Sequence, residues 1–221
     1  MNSTLPVACM IFDMDGTLTR TNDLIFASFN HVAEKYAGRT LTPVEIVALF
    51  GPPEEGALAK IIDGDRTGKA MDDLCDFYRT HHARLASLHS GVREMLEYLK
   101  GTGVKTAIFT GKGRRTASIT LEEFGLASYF DVIVSGNDVD RHKPHPEGIL
   151  RVLKQCAVPP QATIMTGDSV ADIMASRGAG VRSVAVLWDA FDSEGVRRAG
   201  PDHTFSTVAA MDAWVRSEVH C

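Results

Sequence analysis

Residues 9–19 read Cys9-Met10-Ile11-Phe12-Asp13-Met14-Asp15-Gly16-Thr17-Leu18-Thr19. The apolar, strand-prone run Val7–Phe12 stops abruptly at two aspartates one residue apart. Side chains alternate along an extended segment, so if the strand continues past Phe12, Asp13 and Asp15 point the same way. Two carboxylates at the end of a buried strand are costly to desolvate and need a compensating partner. A hard cation such as Mg2+ is one. Gly16 lets the chain turn away tightly, and the amides after it can face an anion. A solvated Asp-Gly turn gives the same short pattern, so the rest of the chain has to decide between them.

Working outward, strand-like runs recur at Val104–Phe109, Val132–Val134, Thr163–Met165, Ser183–Leu187 and His203–Phe205. Helical patterns follow most of them, at Arg114–Phe124, Glu147–Cys156, Ala171–Ala179, Ser193–Ala199 and Thr207–Val219. Short strands alternating with helices predict an α/β fold, a Rossmann-like, mostly parallel sheet with helices on both faces. Ligands bind such sheets beyond the carboxyl ends of the strands.

The first crossover breaks the rhythm, because residues 13–103 separate the first strand from the second. That stretch reads as helical at Asp23–Tyr36, Pro43–Leu49, Glu54–Ile62 and Ala70–Leu88, with Asp23, Thr42 and Asp72 as caps or first-turn acids. Gly51-Pro52-Pro53 should stop one helix and start the next. The expected organisation is a core of residues 1–19 and 89–221 carrying an all-helical cap domain inserted at 20–88.

Composition narrows the function classes. The 221 residues are 44% hydrophobic and 23% charged, with a net charge of -5, an ordinary globular balance. No basic stretch suits a polyanion, so nucleic acid is not an expected partner. No apolar run approaches the roughly 20 residues that span a bilayer, and no membrane partner is expected. The N-terminal Met-Asn-Ser-Thr-Leu-Pro-Val has no basic n-region or cleavage pattern of a signal peptide. Cys9, Cys75, Cys156 and Cys221 form no CxxC and fit structural thiols in a reducing compartment, the cytoplasm. The histidines, including His81-His82 and His142/His145, form no HExxH pattern and read as surface or loop residues. Trp188 and Trp214 read as packing residues.

Each expected strand ends in a polar cluster. After the second comes Thr110-Gly111-Lys112-Gly113, where a hydroxyl and small-residue amides at a helix N-terminus suit a phosphate oxygen. A plain helix cap would look the same. The segment lacks the third glycine of a dinucleotide fingerprint. After the third comes Asp140-Arg141-His142-Lys143-Pro144-His145-Pro146-Glu147. Its prolines stiffen a loop on which Lys143 can neutralise a phosphoryl group or simply face solvent. The fourth ends in Thr166-Gly167-Asp168-Ser169-Val170-Ala171-Asp172, with Asp172 one turn after Asp168. Acid clusters on two strands of one sheet favour a metal, although acids also cap helix N-termini. No GxSxG elbow is present, which argues against a serine hydrolase.

Taken in order, these four clusters resemble the haloacid dehalogenase superfamily of aspartate-nucleophile phosphohydrolases. Asp13-Met14-Asp15-Gly16-Thr17 matches its DxDGT motif, Thr110 the hydroxyl of its second motif, and Lys143 the lysine of its third. Gly167-Asp168-Ser169 with Asp172 matches its GDSxxD motif. Thr21-Asn22-Asp23-Leu24, Gly51-Pro52-Pro53 and Lys143-Pro144-His145-Pro146 look most like the phosphoglycolate phosphatase and pyrophosphatase branch.

The resemblance implies roles for these residues. Asp13 is implied as nucleophile and Asp15 as acid and base. Thr110, Gly111 and Lys143 are implied at the phosphoryl group. Asp13, the Asp15 carbonyl and Asp168 are implied around Mg2+, with Asp172 bound directly or one layer out. The implied substrate is a small phosphorylated metabolite of phosphoglycolate type, and the state a monomer or homodimer. A β-phosphoglucomutase-like mutase, a pyrophosphatase and a catalytically silent binding protein are the alternatives. A dehalogenase needs no second acid at Asp15, and a transport ATPase carries membrane helices. Specificity is expected in the cap, near Gly51–Glu55.

Overall fold

In a computed structural model of the chain, residues 6–219 are described; residues 1–5, 220 and 221 lie outside them, Cys221 and most of the N-terminal heptapeptide included. β1 (Cys9–Phe12) is buried at all four positions. The chain then forms β2 (Thr19–Arg20), α1 (Asn22–Ala37), α2 (Pro43–Val47), α3 (Glu54–Leu58), α4 (Thr67–Leu85) and β3 (Ser87–Leu88). It continues through α5 (Val92–Thr102), β4 (Lys105–Phe109), α6 (Arg114–Glu123), β5 (Val132–Val134) and α7 (Glu147–Cys156). It ends with β6 (Thr163–Gly167), α8 (Val170–Ala179), β7 (Arg182–Val186), α9 (Ser193–Arg198), β8 (His203–Phe205) and α10 (Val208–Glu218).

Six strands form one sheet in the order β5-β4-β1-β6-β7-β8, with every pair parallel. This is the α/β architecture expected from the alternation of runs. Period-two alternation in β1 builds both layers. Met10 and Phe12 join a cluster with Leu96 and Leu99 of α5 and Met211 and Val215 of α10. Cys9 and Ile11 face the other way, onto Ile149 and Val152 of α7 and Ala175 of α8. The connections run from β1 to β4 and β5 on one side and to β6 and beyond on the other. The carboxyl end of β1 therefore lies at the topological switch point, where such sheets open a crevice.

Helices α1 to α4 share a separate apolar cluster that includes Leu24, Phe29, Ile46, Leu58, Leu74 and Tyr78. Ile119 of α6 belongs to the same cluster and ties it to the sheet layer. The chain enters and leaves this helical segment through the antiparallel ribbon of β2 and β3. Among the described residues, no helix is long and apolar enough to cross a membrane.

The structure corrects the sequence reading at several points. It adds α5, which that reading lacks, although Val92, Met95, Leu96 and Leu99 carry the helical spacing and are all buried. Ala70–Leu88 is not one helix: α4 starts at Thr67 and stops at Leu85, and Ser87-Leu88 is a strand. Thr42 caps α2 through a capping box, but Asp72 lies inside α4 and pairs with Arg115 at 2.9 Å. His82 and His89 are buried rather than on the surface. His82 follows Tyr78 by one helical turn on the inward face of α4 and meets Phe124 edge-on. His89 packs edge-on to Trp188, and burial pushes its pKa down to about 4.

Gly148, in the first turn of α7, sets how closely that helix meets β4. A Cβ there would stand 2.1 Å from the ring of Phe109, which is itself buried. Gly148→Ala should therefore destabilise the fold by about 3 kcal/mol, because neither helix nor ring has room to yield. Urea unfolding should show a lowered midpoint with an unchanged slope; an unchanged midpoint would mean that the layer is more compliant than its packing indicates.

Candidate active site

β1 ends at Phe12, and one further bond carries its ladder to the next residue: the Asp13 amide donates to the Thr166 carbonyl of β6 at 2.9 Å. The chain then folds back, with the amides of Leu18 and Thr19 donating to the Met14 carbonyl at 2.9 and 3.0 Å. Gly16 sits in this turn at φ +78°, and a Cβ there would lie 2.5 Å from the Asp168 carboxylate. Only glycine meets both the dihedral and the close approach. Thr17 then reaches across, its hydroxyl donating to Asp168 Oδ1 at 2.8 Å.

Asp13, Asp168 and Asp172 converge. One carboxylate oxygen from each lies within 4.8 Å of the others. The Lys143 ammonium sits among them, 3.2 Å from Asp13 Oδ1 and 2.7 Å from Asp172 Oδ1, at ion-pair distance but out of hydrogen-bond alignment. The second oxygen of Asp172 is committed to its own helix. It accepts from the Ser169 amide at 3.1 Å and hydroxyl at 2.6 Å, closing a capping box at the start of α8.

One ammonium does not balance three acids, of which Asp168 and Asp172 are buried and Asp13 part-buried, and burial together with their mutual repulsion sets the pKa values of Asp13 and Asp168. Burial, opposed by Lys143 and reinforced by Asp172 and Asp15, raises the Asp13 carboxyl to about 6. Burial, then Asp13 and Asp172, holds Asp168 well above the usual carboxylate range. Burial would lower Lys143, yet Asp13 and Asp172 outweigh it and its pKa is raised. A compact, oxygen-only cluster with surplus negative charge suits a hard divalent cation.

Asp15 stands slightly apart. Its Oδ1 accepts from the Thr21 hydroxyl, and its Oδ2 lies 3.4 Å from the Lys112 ammonium. Lys112 also faces Glu54 Oε1 at 3.7 Å and the Tyr78 ring at 4.6 Å from its centroid. Burial alone would lower the Lys112 pKa, but Asp15, Tyr78 and Glu54 together raise it. Thr110 is buried at the end of β4, and its hydroxyl accepts from the Lys112 amide at 3.2 Å. Gly111 follows, beneath the Gly51 carbonyl of the helical segment.

Asp13, Asp15, Glu54, Thr110, Gly111, Lys112, Lys143 and Asp168 line one cavity of about 360 Å3 between the sheet and the helical segment, and Asp172 lies just outside its lining. The sequence-predicted residues Asp13, Asp15, Thr110, Gly111, Lys143, Asp168 and Asp172 are thus brought together. Two contributors carry no individual role in the sequence reading, although Glu54 falls within the Gly51–Glu55 stretch expected to set specificity. Lys112 follows the matched Thr110-Gly111 directly, and its place in a glycine-flanked turn at a strand end was the available signal. For Glu54 the signal was only its place in that stretch, not its own contacts. Glu54 reaches the site because its carboxylate accepts from the Gly113 amide at 2.6 Å and from the Thr116 hydroxyl, across the gap between α3 and α6.

Comparison with known proteins agrees with this geometry. A family model described as haloacid dehalogenase-like hydrolase matches residues 10–186. Pyrophosphatase PpaX of Halalkalibacterium halodurans is 33% identical over 204 residues, covering 92% of this chain and 94% of the relative. Pyrophosphatase PpaX of Bacillus mycoides is 33% identical over 184 residues, covering 83% and 85%. Among solved structures, CbbY from Rhodobacter sphaeroides in complex with phosphate has a TM-score of 0.81 at 21% identity, covering 93% of this chain and 96% of that one, a likeness of fold. The chain belongs to the haloacid dehalogenase-like hydrolases and is a phosphohydrolase of that family.

Proposed function

We propose that the protein is a Mg2+-dependent phosphatase that hydrolyses a small phosphate monoester through a phosphoryl group carried on Asp13. The supporting observation is the convergence of Asp13, Asp15, Lys143 and Asp168 on one cavity at the switch point of the sheet. Asp13 attacks phosphorus, forming an O–P bond as the bond to the leaving oxygen breaks. Asp15 gives its proton to that oxygen, then takes a proton from the water that attacks phosphorus and releases Asp13 with inorganic phosphate. Thr110, the Gly111 amide and Lys143 bind phosphoryl oxygens, while Lys143 also offsets the Asp13 charge. Asp172 positions Lys143 from beneath, since one of its oxygens faces the ammonium and the other caps α8.

Asp13, the Asp15 carbonyl and Asp168 would hold Mg2+, with Asp172 completing the site as a ligand or through one of these groups. When bound, the ion would offset repulsion between these acids and the phosphate and help to hold the reacting groups in line. The helical segment, residues 20–88 in this reading, acts as a cap that excludes bulk water and supplies selectivity. The free thiols Cys9, Cys75 and Cys156 fit action in the reducing cytoplasm. The relatives named pyrophosphatase PpaX make pyrophosphate the second reading.

The test is phosphate release from an ester panel with Mg2+, with EDTA and with Mg2+ restored. Activity should vanish with EDTA and return with the ion; activity indifferent to chelation would refute the metal assignment. Mg2+ should also raise Tm by binding only the folded site. Because Asp13 takes up a proton near pH 6, proton and metal compete, and the Mg2+-induced rise should shrink as pH falls from 8 to 5. A rise that grows on acidification would contradict a carboxylate site.

A further inference from the structure

The wall that faces the leaving group has an unusual charge balance. The helical segment contributes Ile25, Phe29, Leu49, Phe50 and Ala57 to the cavity, together with Asn22, backbone at Gly51 and Pro52, and one ionisable side chain, Glu54. The sheet side adds Phe191, from the loop after β7. Phe191 lies 6.2 Å from the ring of Phe26 and 6.3 Å from that of Phe50, so aromatic rings from both sides meet at the mouth. Phe191 is 56% exposed and Phe50 40%, leaving apolar surface unburied there.

Two ammonium groups line the cavity, and each already faces two acids. Lys143 lies between Asp13 and Asp172, and Lys112 between Asp15 and Glu54. The Lys112 side chain is only 2% exposed. Lys143 is taken up by the phosphoryl group, so a second anionic group on the substrate would meet Glu54 and apolar side chains, with Lys112, already shared by Asp15 and Glu54, as the other cation among the described lining residues. Desolvating an anion without a cationic partner of its own is strongly unfavourable, and like charges in contact reject a ligand more sharply than a missing contact does.

We infer that the substrate is a phosphate monoester of an uncharged alcohol with apolar or aromatic surface, and that the site discriminates against substrates carrying a second anion, such as the ester 2-phosphoglycolate and the anhydride pyrophosphate. This rests on the phosphatase reading above and narrows it. The cavity has room for a phosphoryl group and a leaving group the size of one ring. Glu54 is then a specificity determinant, repelling the wrong leaving group while its carboxylate holds α3 to the start of α6.

The experiment compares kcat/KM for benzyl phosphate, 2-phosphoglycolate and pyrophosphate at saturating Mg2+. The two esters have alcohol leaving groups, so their difference reports the wall rather than bond reactivity. Benzyl phosphate should exceed 2-phosphoglycolate by at least about tenfold, and pyrophosphate should be poorer still, which is about 1.4 kcal/mol or more of discrimination. Glu54→Gln should narrow the benzyl to phosphoglycolate ratio about fivefold by improving the anionic ester. Phe191→Ala, at an exposed loop position, should lower the ratio of benzyl to methyl phosphate by a similar factor. Equal or greater turnover of 2-phosphoglycolate, or a ratio unmoved in both variants, overturns the inference and leaves the phosphatase reading standing, while equal or greater turnover of pyrophosphate overturns the inference in favour of the pyrophosphatase reading. No turnover of any ester with Mg2+ overturns both.

Discussion

Asp13→Asn is expected to lower kcat by about 10^4-fold or more while leaving the fold intact. Asparagine fills the same volume, and its Oδ1 can still accept from the Met14 amide, which donates to Asp13 Oδ1 at 2.8 Å. What disappears is the nucleophilic carboxylate, and no neighbouring group substitutes for it: Asp168 is tied to Thr17, and Asp172 to Lys143 and Ser169. The apo variant should unfold at the same temperature as the parent or slightly above it. Above pH 6 the parent must hold a buried carboxylate charged that its surroundings would rather protonate. For an acid whose folded pKa is raised, that cost is present above the folded value and fades as pH falls through it. Removing the charge therefore removes the cost at pH 7 to 8 and changes little at pH 4. Near-parental turnover in a folded variant would end the nucleophile assignment.

Lys143→Met should lower kcat/KM by about 10^3-fold. Methionine keeps an unbranched apolar stem nearly as long as that of lysine but removes the ammonium that faces Asp13 and Asp172. Lys143 pulls the Asp13 pKa down against burial, so its loss moves that carboxyl further up. The acidic limb of the residual pH–activity profile should shift to higher pH, and Mg2+ should become more important to stability than in the parent. A profile reduced in height but unmoved in position would show that Lys143 binds phosphate without tuning the nucleophile.

The contrast between these lysines and Glu54 shows what a sequence can disclose. Asp13, Asp15, Asp168 and Asp172 were legible because each lies at a strand end or within one helical turn of it, where local spacing fixes direction. Lys143 was legible through the resemblance, since a lysine just before two prolines in a loop has no direction of its own. Lys112 sits in a turn beside recognised residues, yet a lysine at a helix start is ordinarily solvated. Its importance appears only once Tyr78 and Glu54 from the helical segment close over it. Glu54 depends wholly on tertiary packing, because α3 is a five-residue helix whose position is set by neighbours rather than by its own pattern. The parallel sheet was readable because its strands are continuous apolar runs. Helix α5, though regularly patterned, falls between the long insert and the second strand, where the count of β–α units gave no reason to look for it.

The ribbon of β2 and β3 carries one more consequence. Thr19 pairs with Leu88 and Arg20 with Ser87, so the two ends of the helical segment are held side by side. From the sheet's standpoint, everything between them is a loop whose closure is already made. Loop-closure entropy grows only logarithmically with length, so segments of very different size can hang from the same two strands at nearly equal cost. A helical piece of another size or surface could then replace this one without rebuilding the acids beneath it.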